Sequence, residues 1–243
     1  MFFTRISVIE HWSYLNPERR ERRRILENVP TISPAEWCGG INVLINNAGV
    51  ASFGAFAQMN PEDLERAFQV NVLAPMQLCR GLLPHLQLQC AAHIVNIGSV
   101  FGSIGYPGQV TYSATKFALR GFSEALRREL GDTAVQVHYL APRATRTRFN
   151  CAAVEELNTQ LAVATDPPEC VDASVRRMLE TGQPEAFIGW PEKLFARING
   201  ILPRLVDRSL ARQLPTIRQR RDIGECPASE RSLPHGALGG PSA

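Results

Sequence analysis

From residue 41 onward, short apolar runs alternate with amphipathic segments along the chain. The apolar runs end in small or polar residues, which is typical of buried parallel strands that leave a sheet at their carboxyl ends. The amphipathic segments carry apolar residues at helical spacing. This alternation predicts an α/β fold with a doubly wound parallel sheet. The predicted strands are 41–45, 93–97, 135–141 and 186–188, and the predicted helices are 61–83, 112–130 and 170–181.

The first predicted helix carries signals for its start and for an interruption. Asn60 is expected to cap it, with Pro61 at the first helical position and acidic residues in the first turn. Pro75 lies further along the same segment. Because proline has no backbone N–H to donate, we expect a kink there.

The strongest chemical pattern is formed by Tyr112 and Lys116, with Ser99 upstream of both. Residues four apart on a helix leave from one face, so the phenol and the ammonium can converge. A nearby positive charge stabilises the phenolate, so we expect the pKa of Tyr112 to be lowered. A serine hydroxyl at the end of a neighbouring strand could hold a substrate oxygen against the phenol. The pattern suits proton transfer to or from an alcohol oxygen.

These residues occur together with three further motifs. The complete set resembles the short-chain dehydrogenase/reductase family, from about Ile41 to Thr147 and more weakly to about Arg221. The resemblance implies a Rossmann-like sheet, NAD or NADP as cofactor, and interconversion of an alcohol and a carbonyl. The matching motifs, in order, are Asn46-Asn47-Ala48-Gly49, Asn71, Ser99, Tyr112-x-x-x-Lys116 and Pro142-x-x-x-x-Thr147.

The resemblance implies a role for each member of the catalytic set. Tyr112 would be the general acid in carbonyl reduction and the base in alcohol oxidation. Lys116 would lower the pKa of the phenol and hydrogen-bond the nicotinamide ribose, and Ser99 would orient the substrate oxygen. Asn71 would hold a water of a proton relay behind the lysine. A purely structural role for Asn71 stays open.

The resemblance also implies a cofactor site. The Asn46–Gly49 segment would line the adenosine half, and the loop after the 135–141 strand would meet the carboxamide through the backbone N–H of Thr145 and the hydroxyl of Thr147. Arg143 replaces the family's usual glycine and would be strained at a positive φ. The implied cofactor-binding residues are Asn46, Asn47, Ala48, Gly49, Tyr112, Lys116, Pro142, Thr145 and Thr147.

The arginines of that loop allow two interpretations. Arg143, Arg146 and Arg148 could meet cofactor phosphates or acidic groups of a substrate. They could equally form a solvated basic loop, and this second interpretation is favoured slightly.

The amino-terminal 40 residues depart from the family pattern. Relatives bind the pyrophosphate at a glycine-rich turn between the first strand and helix, whereas this chain has no glycine before Gly39. Gly98, Gly102 and Gly105 imitate such a turn, but they lead to the Tyr112 helix. A truncated or frame-shifted amino terminus is the simplest explanation. Residues 2–9 could form one strand, and loss of the family's first strand would leave 41–45 as an exposed edge.

Composition and charge fit one domain without metal. The chain has 243 residues and a net charge of +3, which gives no argument for nucleic acid binding. Its six cysteines are widely spaced, so we expect reduced thiols and neither zinc nor disulfides. No apolar run reaches the roughly 20 residues of a membrane span. We therefore expect a cytoplasmic protein, and relatives imply a homo-oligomer.

The carboxyl-terminal region combines apolar and basic residues at helical spacing, with Pro203 expected to kink or split the helix. The region either packs over the substrate mouth or a subunit contact, or lies on a membrane surface, which would suit a hydrophobic substrate. The expected divisions are an atypical segment 1–40, a catalytic core 41–190, a basic amphipathic region 191–222 and a disordered tail 223–243.

Two function classes remain open at this point. The first is an NAD(P)-dependent oxidoreductase that uses Tyr112, Lys116, Ser99 and Asn71. The second is a non-catalytic or truncated remnant of the family with impaired dinucleotide binding. The amino terminus separates them, because catalysis requires a place for the pyrophosphate.

Overall fold

The structure is a computed structural model that describes residues 6–8, 41–147 and 149–223. Three sequence-based expectations lie outside these residues. They concern Arg148, most of the atypical segment 1–40 and the tail from residue 224 onward.

The strands form one parallel sheet in the order β1-β2-β3-β4-β5. Alternating strands and helices with all-parallel pairing confirm the predicted α/β fold. The strands are β1 (Ile6–Val8), β2 (Val43–Asn46), β3 (Ala92–Ile97), β4 (Val135–Ala141) and β5 (Glu185–Phe187).

The strand β1 corrects one expectation. Ile6 pairs with Val43 and Val8 pairs with Ile45, both in parallel register. The prediction that the strand at 41–45 would be an exposed edge is therefore wrong. A three-residue strand is enough to occupy the hydrogen-bonding groups of β2 on that side.

The helices follow the predicted pattern with some shifts in their bounds. A π-helical segment, Gln69–Leu73, joins the first two. The helices are α1 (Pro61–Phe68), α2 (Ala74–Leu86), α3 (Val110–Glu129), α4 (Ala152–Gln160), α5 (Pro168–Thr181), α6 (Glu192–Ile201) and α7 (Pro203–Ile223).

The start of α1 is as predicted, but the expected kink takes another form. The Asn60 Oδ1 accepts a hydrogen bond from the backbone N–H of Glu62 at 3.0 Å. Pro75 lies at the start of α2, directly after the π-helical segment. It has no N–H to donate to the carbonyl of Asn71, four residues earlier, so the helix takes a wider turn at Asn71.

Both faces of the sheet are buried, which explains why its strands are continuous apolar runs. On one face Leu44 and Ile94 pack with Leu82 and Leu86 of α2. On the other face neighbouring strand residues pack against α5. This second cluster includes Val43, Val95, Val175 and Leu179.

Two buried histidines on adjacent strands, His93 of β3 and His138 of β4, stack on each other. The Nδ1 of His93 lies 3.1 Å from the Nε2 of His138, and the Nδ1 of His138 lies 2.7 Å from the carbonyl oxygen of Gln183. Because a carbonyl only accepts, the Nδ1 of His138 carries the proton, and the neutral ring then accepts from His93. Burial lowers the pKa of both rings, the neighbouring His138 adds to the effect on His93, and Arg127 adds to the effect on His138.

We expect the free energy of unfolding to fall as the pH falls below about 6.5, the ordinary histidine value. In that range the unfolded chain binds protons that the native pair does not, so stability rises with pH and is lost on acidification. Denaturant unfolding at a series of pH values measures the slope. His93→Gln should flatten it, whereas His85→Gln on α2 should not. Equal slopes in all three proteins would contradict the interpretation.

Candidate functional site

Helix α3 brings Tyr112 and Lys116 together beside the end of β3. The Lys116 Nζ lies 5.6 Å from the centroid of the Tyr112 ring, and both side chains are buried, with exposed fractions of 4% and 7%. The same ammonium donates a hydrogen bond of 3.0 Å to the carbonyl of Ile97, the last residue of β3. The lysine therefore ties the helix to the carboxyl end of the sheet.

Ser99 completes a cluster of three groups. It follows β3 by two residues and caps the short turn that begins at Val100, with its Oγ accepting from the N–H of Phe101 at 3.1 Å. Its side chain also hydrogen-bonds that of Tyr112. The hydroxyl, the phenol and the ammonium thus converge where the sequence places them.

The protonation of this cluster differs from the expectation. Burial raises the pKa of Tyr112 to about 12, and the hydrogen bond with Ser99 opposes it only in part. Burial lowers the pKa of Lys116 to about 8. The prediction of a lowered phenol pKa is therefore wrong for this structure, because the desolvation of Tyr112 dominates. At neutral pH the phenol is protonated, which is the form that donates a proton.

Asn71 lies in the π-helical segment and stabilises helix α3 by hydrogen bonds. Its Nδ2 donates to the carbonyl of Val50 at 2.9 Å and to the Thr115 Oγ1 at 3.0 Å, and its Oδ1 accepts from the N–H of Val50 at 2.8 Å. The carboxamide is buried and both of its N–H groups are used. Since the Thr115 Oγ1 in turn donates to the carbonyl of Tyr112 at 2.7 Å, Asn71 supports the turn that carries the phenol.

Two further residues support the cluster, Thr115 and Tyr139, and the sequence motifs did not indicate either. Thr115 gave no distinct signal, because a helical threonine often bonds its own helix. Tyr139, on β4, lies beneath Ser99 and donates to the Ser99 carbonyl at 3.3 Å. The feature of the sequence that could have indicated Tyr139 is the pair of glycines Gly98 and Gly102. A Cβ at Gly98 would lie 2.2 Å from a Tyr139 atom, and a Cβ at Gly102 would lie 2.3 Å from one. These glycines leave room for a buried ring, in agreement with their exclusion as a phosphate-binding turn.

The Asn46–Gly49 segment lies at the carboxyl end of β2. The Asn46 Nδ2 donates to the Asn96 Oδ1 at 2.7 Å, which links the two strands, while the Asn46 Oδ1 is buried without a hydrogen-bond partner. Asn47 is exposed, and Ala48 and Gly49 are half-buried. A shallow depression, open to solvent, is lined by Ile45, Asn46, Asn47, Ala48, Val70, Ala74, Pro75 and Leu78.

Gly49 connects this depression to the Tyr112 cluster. A Cβ at Gly49 would lie 3.4 Å from the Asn71 Oδ1 and 3.8 Å from the Lys116 Nζ. The absence of a side chain there leaves the backbone close to both groups.

In the basic loop after β4, Arg143 fits neither sequence-based interpretation. Arg143 makes two hydrogen bonds of 2.8 Å to the Asp166 carboxylate and lies 3.5 Å from the Glu192 carboxylate. Its guanidinium holds the pKa of Asp166 below its usual value. Arg143 has no positive φ, so the expected strain is absent. It fixes the loop instead of facing solvent, and Arg146 is exposed.

The remaining predicted residues of this loop make local contacts. Pro142 accepts a hydrogen bond of 3.0 Å from the N–H of Val100, and the Thr145 Oγ1 donates to the carbonyl of Arg143 at 3.1 Å. Thr147 is exposed, and its Oγ1 accepts from the N–H of Phe149 at 3.3 Å.

The aromatic side chain of Phe149, which no sequence motif indicated, lies over the cluster. The Phe149 ring centroid is 5.8 Å from that of Tyr112, and a ring carbon lies 3.7 Å from the position of a Cβ on Gly49. Phe101 meets Tyr112 edge-on at 6.4 Å. These two rings form an apolar wall that limits the access of water to the phenol.

Comparison with known proteins identifies the family. The family model described as short chain dehydrogenase matches residues 21–158, which extends further toward the amino terminus than the resemblance in the sequence did. An uncharacterized oxidoreductase of Bacillus subtilis, YxnA, is 32% identical over 176 residues, covering 70% of this chain and 49% of the relative. A putative oxidoreductase of Mycobacterium tuberculosis, SadH, is 32% identical over 210 residues, covering 80% of this chain and 75% of the relative.

Solved structures agree with this assignment. A short-chain dehydrogenase from Streptomyces avermitilis has a TM-score of 0.62 at 29% identity, covering 81% of this chain and 76% of that one. A serine dehydrogenase complexed with NADP⁺ has a TM-score of 0.59 at 30% identity, covering 68% and 71%. By fold and by sequence, this chain belongs to the short-chain dehydrogenase family of oxidoreductases.

Proposed function

We propose that the chain interconverts an alcohol and a carbonyl with NAD or NADP as cofactor. The observation that carries the proposal is the convergence of the Tyr112 phenol, the Ser99 side chain and the Lys116 ammonium at the end of β3. The family's oxidoreductase activity supports it, as does the NADP⁺ bound to the related serine dehydrogenase.

In this proposal the residues act on the substrate oxygen. The Ser99 Oγ donates a hydrogen bond that holds the oxygen, and the Tyr112 hydroxyl, protonated at neutral pH, donates its proton to that oxygen as reduction proceeds. The charge of Lys116 stabilises the phenolate that remains. In the reverse direction the phenolate accepts the proton of the alcohol. Asn71 is a positioning residue that acts through Thr115 on the backbone of Tyr112.

The described residues offer groups for one part of the cofactor. Lys116 and Tyr112 would donate to the nicotinamide ribose, and Gly49 presents no side chain beside them, while the Phe149 ring occupies part of the same space. Asn46 and Asn47 line the depression, where the adenosine half would lie in this proposal. Bound there, a nicotinamide dinucleotide supplies or takes up the hydride. The pyrophosphate has no glycine-rich turn, since the first glycine is Gly39.

We expect this chain to bind NADH and NADPH weakly, with a Kd well above the micromolar range. A pyrophosphate depends on backbone N–H groups at a helix start, and a ligand against Tyr112 and Gly49 must also share its space with the Phe149 ring. Titration followed by nicotinamide fluorescence measures the Kd. Phe149→Ala should tighten binding, while Phe56→Ala, at an exposed ring, should leave it unchanged. Micromolar binding by the unaltered chain would contradict this prediction.

Turnover tests the function itself. The purified chain is supplied with millimolar NADPH or NADH and a panel of ketones, from small polar to large apolar, and the loss of reduced nicotinamide is followed. Substrate-dependent oxidation supports the proposal. No turnover at cofactor concentrations that saturate the protein would favour the second candidate.

The second candidate is a non-catalytic member of the family that retains the pocket. Two observations favour it: the missing glycine-rich turn and the Phe149 ring against Tyr112. A ketone or alcohol that shifts the thermal unfolding midpoint without turnover, in the presence of cofactor, would support this candidate.

A further inference from the structure

Six large apolar side chains lie exposed around the junction of α6 and α7. Together they form what we name the apolar ridge. Ile201 and Leu202 lie at the junction itself, with exposed fractions of 78% and 55%. The complete ridge consists of Trp190, Leu194, Phe195, Ile201, Leu202 and Leu205.

The two helices already use other residues to pack on the protein. Ala196 and Val206 are buried against Val100 and Ile104, in the segment that follows Ser99. The Asn199 Nδ2 donates to the carbonyl of Ser103 at 2.8 Å, which fixes α6 to the same segment. The apolar ridge is therefore not the core-facing side of α6 and α7. Its six side chains are left exposed on or beside helices that are anchored to the segment after Ser99.

The far end of α7 is held as firmly. Ile217 is buried with Phe53 and Leu157, and Arg220 pairs with Glu156 at 2.7 Å. The predicted split at Pro203 is observed, since α6 ends at Ile201 and α7 begins at Pro203. These contacts hold α6 and α7 on the protein, and the apolar ridge is what they leave uncovered.

The charges around the ridge have one dominant sign. Between residues 190 and 212 five cationic side chains are exposed, but only one carboxylate, that of Asp207. The other carboxylate in this range, Glu192, is half-buried and lies beside Arg143. An anionic bilayer accepts apolar side chains and attracts cations. Exposed leucine and isoleucine side chains flanked by lysine and arginine are therefore suited to bind its surface. The cations are Lys193, Arg197, Arg204, Arg208 and Arg212.

A second copy of the chain fits this face poorly. In a two-fold symmetric dimer the same patch meets itself, so the cations of one copy would face those of the other. The single negative charge of Asp207 cannot neutralise the five cations. An anionic lipid surface has no such conflict.

We propose that the apolar ridge docks this protein on the surface of an anionic lipid bilayer. Trp190, Ile201 and Leu205 enter the interface, and the flanking arginines contact the headgroups. No helix of the described ranges is both long and apolar enough to cross a bilayer. The proposed contact is with one leaflet, and it does not depend on the proposed catalytic function.

Sedimentation with vesicles tests the proposal with the full chain. We compare phosphatidylcholine vesicles with vesicles that also contain about 30% phosphatidylserine. The protein should sediment with the anionic vesicles, and added salt should weaken binding. Ile201→Ser combined with Leu205→Ser should reduce the partition coefficient about tenfold or more. Leu88→Ser, at an 81% exposed leucine in the segment before β3, should leave it unchanged.

Charge reversal provides an independent arm. Arg204→Glu with Arg208→Glu should reduce partitioning by more than about tenfold. Arg176→Glu with Arg177→Glu, exposed on α5, changes the net charge equally and should have a much smaller effect. Thermal unfolding verifies that each variant is folded.

Three outcomes would overturn the proposal. The first is no sedimentation of the unaltered chain with anionic vesicles at low salt. The second is an equal effect of the ridge and control variants. The third is a dimer in light scattering that Ile201→Ser with Leu205→Ser converts to a monomer, which would assign the ridge to a second copy.

Discussion

Replacing Tyr112 by phenylalanine will reduce turnover about 10²- to 10⁴-fold, the usual contribution of a general acid. The change removes only the hydroxyl that hydrogen-bonds Ser99, and the ring keeps its contacts with Phe101 and Phe149. Because burial raises the pKa of this phenol to about 12, the hydroxyl carries its proton throughout the neutral range. The rate of carbonyl reduction measured at saturating cofactor and substrate checks the prediction.

Tyr106→Phe is the matched control for that experiment. Tyr106 stacks on Phe101 at 4.7 Å and donates to the Gln213 Oε1 at 3.3 Å, so it is a neighbouring tyrosine with a different contact. Removal of the Tyr106 hydroxyl should change the rate of carbonyl reduction by less than about tenfold. If Tyr112→Phe retains the activity of the unaltered chain, the phenol is not the proton donor and the proposed mechanism fails.

Replacing Gly98 by alanine will destabilise the protein by about 3 kcal/mol, at the upper end of overpacking costs. The added Cβ would lie 2.2 Å from the Tyr139 ring, which is almost fully buried on β4 and has little room to move. Since Ser99 is the next residue, the displacement should also reduce any turnover. Denaturant unfolding gives the change in stability, and Gly105→Ala, where nothing lies within 4 Å of the new Cβ, should cost much less.

A double-mutant cycle isolates the clash from other effects. With Tyr139→Ala in the background, Gly98→Ala should cost less than about 1 kcal/mol, because the ring that opposes the Cβ is absent. An undiminished penalty in that background would show that Gly98 is required for another reason.

The alternation of strands and helices was predictable because its cause is local. A strand buried on both faces needs a continuous apolar run, and a helix against it needs apolar residues at helical spacing. The bounds of β4 and the cap at Asn60 follow from such signals. By contrast, β1 depends on pairing with β2 across more than thirty residues of intervening sequence, so a short apolar run could indicate only that a strand was possible.

The break near Pro75 shows an intermediate case. The sequence predicts that the helix is interrupted, because proline cannot donate its hydrogen bond. The form of the interruption is set by tertiary contacts. The buried carboxamide of Asn71 bonds both Val50 and Thr115, and the wider turn of the π-helical segment carries it there.

The electrostatics of the site could not be predicted from residue spacing. The pattern of Tyr112 and Lys116 indicates that a phenol and an ammonium meet, and from this alone a lowered phenol pKa follows. In the structure the pKa of the phenol is raised instead, because burial disfavours the charged form of each group. Desolvation raises the pKa of Tyr112 and lowers the pKa of Lys116. Arg143 is similar, since its partner Asp166 is distant in sequence and only the fold brings them together.

By itself, the sequence determined the parallel α/β architecture, the helix that presents Tyr112 and Lys116, and the strand end that presents Ser99, because each depends on patterns within a few residues. Tertiary structure alone decided that Tyr139 fills the space beneath Gly98, that Phe149 lies over the phenol, and that the apolar ridge is left exposed. These features depend on which distant side chains share a volume, and on how much water that packing removes from a charge or a hydroxyl.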